Sequence, residues 1–404
     1  GDSDRFSAER ASKHIEVMSK VPHSVEHPVE RAQVRRYLYD ILEDMGGEPE
    51  IHEYDSIKFR YGGYFDIGNV YCQFDPLSGP ADSYIMMVAH FDSRFRQTKL
   101  QKTVYSYGAG DDAYGVGSIL ELLSQALKYR DEWHQGVRIL LTDSEENALD
   151  GMKCAAKYNP ELFENVGYVV NLESRGMNGP VLLFETSANN ENVLDLYSEA
   201  KAPYGYSLTT VVYRFLPNNT DFTIVKDSIP GINFSTIDNI NYYHVDDDNF
   251  ENINLATIQH YGAQIEPILE EFLTSGEYRD PDALKGDEDL VFFTVPILGI
   301  FSFTKPQFTL FCSVVFALFC LALVLNISAR NATVKGVLKK ALVIFLSSLL
   351  VLAMGEGIAF LTAKVAGTPF NITDTRYVMC SPVVVNVSLF ALIIIYLAIY
   401  LKRR

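Results

Sequence analysis

Two rhythms divide the chain. Over roughly the first 280 residues, short apolar runs alternate with longer segments whose apolar positions recur at helical spacing. The short runs, at residues 84–89, 137–142, 168–172 and 232–235, hold several β-branched residues and read as strands. The segments at 115–129, 149–158, 191–200 and about 252–273 read as helices. So do 7–20 and 28–45, the latter with Pro28 where a first helical turn accepts it. Residues 50–74 read as one or two antiparallel strands at a sheet edge. Strands alternating with helices predict an α/β domain with a mixed, mostly parallel sheet and helices on both faces.

The second rhythm is continuous. Runs at 307–327, 341–363 and 378–401 are apolar for about the 20 residues that a helix needs to cross a bilayer. The expected organisation is a soluble domain over 1–280, a linker or interfacial segment over 281–305, and a helical transmembrane region over 306–404 with about three spans. The apolar stretch 290–304 is short and broken by Pro296 and Gly299. It is expected to lie at the membrane interface or pack under the soluble domain. Arg330, Lys335, Lys339 and Lys340 follow the first run, and Lys402, Arg403 and Arg404 follow the third. Basic residues favour the cytosolic side, so the soluble domain is expected on the lumenal or extracytoplasmic side of a multi-pass protein in the lipid bilayer. The sequons at Asn218, Asn233 and Asn371 then fall on the translocated side. Glu356, inside the second run, reads either as a functional group or as a residue near the outer surface. Gly1 in place of Met is expected of a processed or trimmed chain.

Charge reinforces the division. The chain carries −17, but ten Lys/Arg against two Asp/Glu from Leu290 onward give that part +8, leaving −25 on residues 1–289. So acidic a domain repels phosphates, which argues against nucleic acid as a partner, and suits divalent cations. No Cys-x-x-Cys pair occurs, which argues against a thiolate metal site. Cys72 and Cys154 read as a disulfide or as two buried thiols.

In open parallel sheets, sites form beyond the carboxyl ends of the strands. There the sequence places His90-Phe91-Asp92-Ser93, then Asp143-Ser144-Glu145-Glu146, then Glu173. Asp111-Asp112 lies on a Gly-rich turn opening a helix, and Tyr243-His244 precedes Asp246-Asp247-Asp248. Singly, these read as a surface pair, a solvated turn, a helix cap and a charged loop; five in succession argue for one site. Imidazole plus carboxylate without thiolate suits catalytic zinc. The division expected is His90, Asp111 and Glu173 on one ion, and Asp111, Glu146 and His244 on a second, with Asp111 bridging. Asp92 is expected to hold the His90 ring. Glu145, on an extended segment with its side chain opposite to that of Glu146, is the expected general base.

These motifs, with Gly108-Ala109-Gly110 before Asp111, Asn171-Leu172 before Glu173, and the segment Asn218 to Phe234, resemble those of the co-catalytic zinc aminopeptidases of clan MH over about residues 5–275. Among them the chain is most similar to the endoplasmic-reticulum and vacuolar membrane metallopeptidases. The resemblance implies a zinc exopeptidase fold, two Zn2+ per chain and hydrolysis of terminal bonds in peptide substrates, most naturally at the N-terminus. Two other readings stay open: a single-zinc glutaminyl cyclase, which shares the fold, and a non-catalytic peptide-binding ectodomain. Arg94, Arg96 and Arg175 read as surface arginines balancing the acids, or as recognition of a substrate carboxylate. The sequence fixes no oligomeric state.

Overall fold

The computed structural model describes residues 5–99, 101–213, 219–329 and 333–366. Its strands are β1 (Glu50–Lys58), β2 (Tyr64–Phe74), β3 (Tyr84–His90), β4 (Gln97–Lys99), β5 (Lys102–Val104), β6 (Gly136–Thr142), β7 (Val166–Leu172), β8 (Leu182–Thr186), β9 (Gly231–Ser235), β10 (Leu290–Val295) and β11 (Gly299–Thr304). Its helices are α1 (Ala8–Met18), α2 (Pro28–Asp44), α3 (Ala113–Ala126), α4 (Glu145–Ala148), α5 (Asp150–Tyr158), α6 (Glu191–Tyr197), α7 (Ser207–Tyr213), α8 (Phe222–Val225), α9 (Leu255–Thr274), α10 (Lys305–Ser328) and α11 (Val334–Ala366). The chain forms two compact units, Gly1–Phe308 and Thr309–Arg404.

In the first unit, seven strands form one sheet in the order β1-β2-β6-β3-β7-β9-β8. The four central strands β6, β3, β7 and β9 are parallel, and the edge pairings β1–β2, β2–β6 and β8–β9 are antiparallel. Every residue of β3, β6 and β7 is buried. That is why these segments read as continuous apolar runs. Alternate residues feed two cores: Ile85, Met87 and Ala89 join the side chains of α1, α2, α3 and α9, while Met86 and Val88 join those of α5 and α8. Full burial of Ile85, Met86, Met87 and Val88 contributes about 1.5–3 kcal/mol each.

The predicted elements appear within a few residues of their expected bounds, and residues 50–74 form an edge hairpin. Strand β8 and helix α7 were not anticipated. Cys72 and Cys154 are free, buried thiols. Asn233 is no glycan acceptor in the folded protein: it is buried in β9, and its amide donates to Thr220 Oγ1 (2.8 Å) and Glu185 Oε2 (3.1 Å). Residues 290–304 form the hairpin β10–β11, whose turn has Ile297 and Gly299 in left-handed backbone (φ 73° and 91°). Phe292 is buried in the main core, so this segment packs on the core of the first unit.

Among the described residues, two helices are long and apolar enough to cross a membrane, Lys305–Ser328 and the Val334–Gly355 part of α11. At 1.5 Å per residue the 24 residues of α10 reach about 36 Å, against about 30 Å of hydrocarbon. The run 378–401, Arg330, Asn218, Asn371 and the Glu356 side chain lie outside the described residues.

Candidate metal centre

The site assembles at the carboxyl ends of four neighbouring parallel strands. His90 ends β3, Glu145 and Glu146 follow β6, Glu173 follows β7, and His244 lies on the loop after β9. Asp111 comes from the turn before α3, where Gly108 adopts a left-handed φ of 68°. Asp112 caps α3, its Oδ1 accepting from the Gly115 amide at 3.1 Å. The helix-cap reading therefore applies to Asp112 and leaves Asp111 free to face the cleft.

The structure brings two triads together. In His90, Asp111 and Glu173, and again in Asp111, Glu146 and His244, one nitrogen or oxygen of each residue lies within 4.8 Å of the others. His90 Nε2 is 3.1 Å from Asp111 Oδ1 and 3.9 Å from Glu173 Oε2. His244 Nε2 is 3.2 Å from Asp111 Oδ2 and 3.0 Å from Glu146 Oε1. Asp111 thus turns one oxygen to each triad.

The donors fit a divalent cation. Asp111 Oδ2, Glu146 Oε1 and His244 Nε2 are buried and make no hydrogen bond, although they converge at contact distance. Burying polar atoms without partners costs about 1–3 kcal/mol each, and an ion at their centre would satisfy all three. Ligands about 2.0–2.1 Å from a tetrahedral zinc are about 3.3 Å apart, close to the separations found.

Neighbouring groups fix the free lone pairs. His90 Nδ1 meets the Asp92 backbone carbonyl at 3.0 Å and the Asp92 carboxylate at 3.4 Å, which leaves Nε2 facing the triad. The Asp92 carboxylate also accepts from the Glu145 amide (2.9 Å) and the Glu146 amide (3.4 Å). It therefore ties the β3 end to the turn after β6. Arg94 donates to Glu146 Oε2 at 2.7 Å, leaving Oε1 for the triad. Burial alone would raise the Glu146 carboxyl, but His244 and Arg94 hold it well below the usual range.

The expected geometry of Glu145 needs correcting. Ser144 is left-handed (φ 61°) and Glu145 begins the short helix α4 instead of continuing a strand. The two glutamates still diverge, because successive helical residues are turned by about 100°. Burial, and next the Glu173 carboxylate, push the Glu145 carboxyl well above the ordinary range. The arginines also differ from expectation. Arg94 is largely buried in its pair with Glu146, and exposed Arg96 pairs with Glu26 at 3.2 Å. Arg175 lies 5.5 Å from the Tyr213 ring and shares a cleft wall with Asp111 and Tyr243. It has no carboxylate partner among the described residues.

Several supporting residues carried no sequence signal of their own. Asp248, within the acidic run that read as a charged loop, is buried and accepts from Gly110 N (2.5 Å) and Ser106 Oγ (2.7 Å), clamping the turn that bears Asp111. Burial, and then Asp111, push its carboxyl to about 7. Asp246 and Asp247 pair with Lys99 on β4. Asp143 is fully buried between Arg31 (3.5 Å) and Arg35 (3.8 Å), and accepts from Gly68 N at 2.9 Å. Gly151 packs so close that a Cβ there would sit 2.4 Å from the Asp143 carbonyl oxygen. Removing one member of a buried ionic cluster strands the others. Asp143→Ala is therefore expected to cost about 3–5 kcal/mol, read as a lowered denaturation midpoint with unchanged slope. A loss below 1 kcal/mol would contradict this assignment.

The fold and site define the class. Residues 69–269 match the family described as Peptidase family M28, which marks this part of the chain as a metallopeptidase. The curated relatives it matches include "Endoplasmic reticulum metallopeptidase 1" of Homo sapiens, 30% identical over 260 residues, 62% of this chain and 27% of that protein. They also include "Vacuolar membrane protease" of Saccharomyces cerevisiae (strain YJM789), 27% identical over 210 residues, 51% of this chain and 20% of that protein. The match thus spans about a quarter of the relatives' length. Among solved structures, the "Aminopeptidase from Aneurinibacillus sp. strain AM-1" has a TM-score of 0.54 at 14% identity over 68% of this chain and 96% of that one. The Porphyromonas gingivalis glutaminyl cyclase has a TM-score of 0.54 at 18% identity over 67% and 99%. These two confirm the fold.

Proposed function

We propose that the chain is a membrane-anchored exopeptidase holding two zinc ions, and that it removes residues from peptide N-termini on the extracytoplasmic side. The observation that carries the reading is the trio of unpartnered buried atoms, Asp111 Oδ2, Glu146 Oε1 and His244 Nε2, beside a second triad that shares Asp111. His90, Asp111 and Glu173 would hold one ion, and Asp111, Glu146 and His244 the other. Bound there, the pair would supply Lewis acidity to the scissile carbonyl and acidify water.

The chain's own residues do the rest. Glu145 takes a proton from the attacking water and returns it to the departing amine. Asp92 holds the His90 ring and, through the Glu145 amide, sets where the base stands. One observation favours a second reading: Arg175, on the cleft wall without a carboxylate partner among the described residues, could receive a substrate's C-terminal carboxylate. The membrane part of the proposal is supported by the two apolar helices and by Lys335, Lys339 and Lys340 in the first turns of the second of them.

Elemental analysis of the full chain after zinc loading should give two equivalents, falling to one in His244→Ala and in His90→Ala. One equivalent in the unaltered chain would overturn the two-metal reading and favour a single-zinc cyclase. Chelator-sensitive release of residues from peptides with free N-termini, lost on N-acetylation and kept on C-terminal amidation, is the expected specificity. The opposite pattern selects carboxypeptidase action. No chelator-sensitive turnover on either set would leave a peptide-binding ectodomain.

A further inference from the structure

Hairpin β10–β11 carries apolar side chains on both faces. On one face Phe292 and Thr294 are buried against the domain: Phe292 N donates to Ser207 Oγ at 2.7 Å, and Thr294 N donates to the Gly205 carbonyl at 3.0 Å. The other face carries Val291 opposite Phe303 and Phe293 opposite Phe301, with Val295 beyond. An antiparallel sheet with one face on a core normally turns polar residues to water on the other. Here that second face holds five apolar side chains, all half-buried or exposed. The turn extends the pattern, with Ile297 fully exposed and Leu298 69% exposed. Helix α7, which meets β10 through the Tyr206–Phe293 bridge, adds exposed Leu208, Val211 and Val212.

The next element of the chain sets the occupant of this face. Strand β11 ends at Thr304 and the apolar helix α10 begins at Lys305, with no linker between them. The rings of Phe293, Phe303 and Phe308 lie 5.9–6.5 Å apart across that junction, continuing the apolar face into the helix. Electrostatic attraction to anionic headgroups is not the device, because Asp287, Glu288 and Asp289 immediately precede the hairpin.

We propose that the outer face and turn of hairpin β10–β11, with the exposed face of α7, form a lipid-contacting surface that seats the catalytic domain in the boundary layer of the bilayer its own helix enters. Apolar burial drives the contact. Helix α7 ends at Tyr213, whose ring faces Arg175 on the cleft wall. The seated helix thus touches a residue of the cleft wall, and the substrates favoured are peptide ends displayed near the membrane. This rests on the membrane-anchored reading of the chain.

The test uses the full chain in phosphatidylcholine nanodiscs, with and without bromine on the acyl chains. The single native tryptophan, Trp133, is 2% exposed and supplies a constant background. Ile297→Trp and Leu298→Trp report on the turn. Leu318→Trp in α10 reports on the anchor, and Leu77→Trp, after β2 near the opposite edge of the sheet from β8, reports on the solvent side. An interfacial segment enters the headgroup–acyl boundary by about 5–10 Å, so the turn tryptophans should lose about half or more of their added emission in brominated lipid. Leu318→Trp should lose more and Leu77→Trp none. Quenching at 318 but not at 297 or 298 overturns the seating and leaves the anchor intact; no quenching at 318 overturns both. Turn tryptophans shielded from aqueous iodide yet unquenched by brominated lipid assign the face to a protein partner, which also overturns the proposal.

Discussion

Replacing Glu145 by Gln is expected to lower kcat by about 10²–10⁴ while zinc content and fold stay as they are, a barrier increase of roughly 3–5 kcal/mol. Glu145 belongs to neither triad, so its loss removes no candidate ligand. Its backbone amide, which Asp92 grips, is unchanged by the substitution, so the turn carrying Glu146 keeps its anchor. Gln is nearly isosteric and can donate a hydrogen bond, but it cannot shuttle a proton at neutral pH. The measurement is kcat on an unblocked peptide alongside zinc per chain. Near-normal turnover with both metals present would remove Glu145 from the chemistry. Loss of metal together with turnover would make it a ligand instead.

How much the sequence disclosed depends on how each feature is built. The central strands were legible because β3, β6 and β7 are buried on both faces and so appear as unbroken apolar runs. The candidate site was legible because strand ends in a parallel sheet are adjacent in space even when, as with His90 and Glu173, they are far apart in sequence. Strand β8 was missed because its Glu185 interrupts the apolar pattern. That carboxylate is paired with Lys226 at 2.6 Å and with Asn233, partners that only the fold brings near. Hairpin β10–β11 was missed for a different reason. Apolar residues on successive positions erase the alternation that marks a half-exposed strand, and the same property leaves apolar side chains on its outer face. The support from Arg94, Asp143 and Asp248 was invisible because a buried ion pair or a clamp on a backbone amide leaves no local periodicity. Glu145 was placed in the correct turn with the wrong backbone, since a left-handed Ser144 carries no compositional mark as Gly or Asn would.

Asp111→Ala is expected to have the other large effect, because this one side chain belongs to both triads. Without it each triad shrinks to two protein ligands, His90 with Glu173 and Glu146 with His244, too few for catalytic zinc, which takes three. Zinc should fall below one equivalent per chain, and turnover should fall by about 10³-fold or more, since metal charge stabilisation is worth several kcal/mol. His90→Ala, by contrast, leaves the second triad complete and should retain one ion. The fold should survive the change at Asp111, because the turn that carries it is held independently. Asp112 caps α3, while Asp248 grips Gly110 and Ser106. A denaturation midpoint close to that of the metal-stripped parent would show this. If Asp111→Ala kept two zinc ions, or lost no more metal than His90→Ala, the carboxylate would not be a bridge and the two triads would have to be regarded as separate sites.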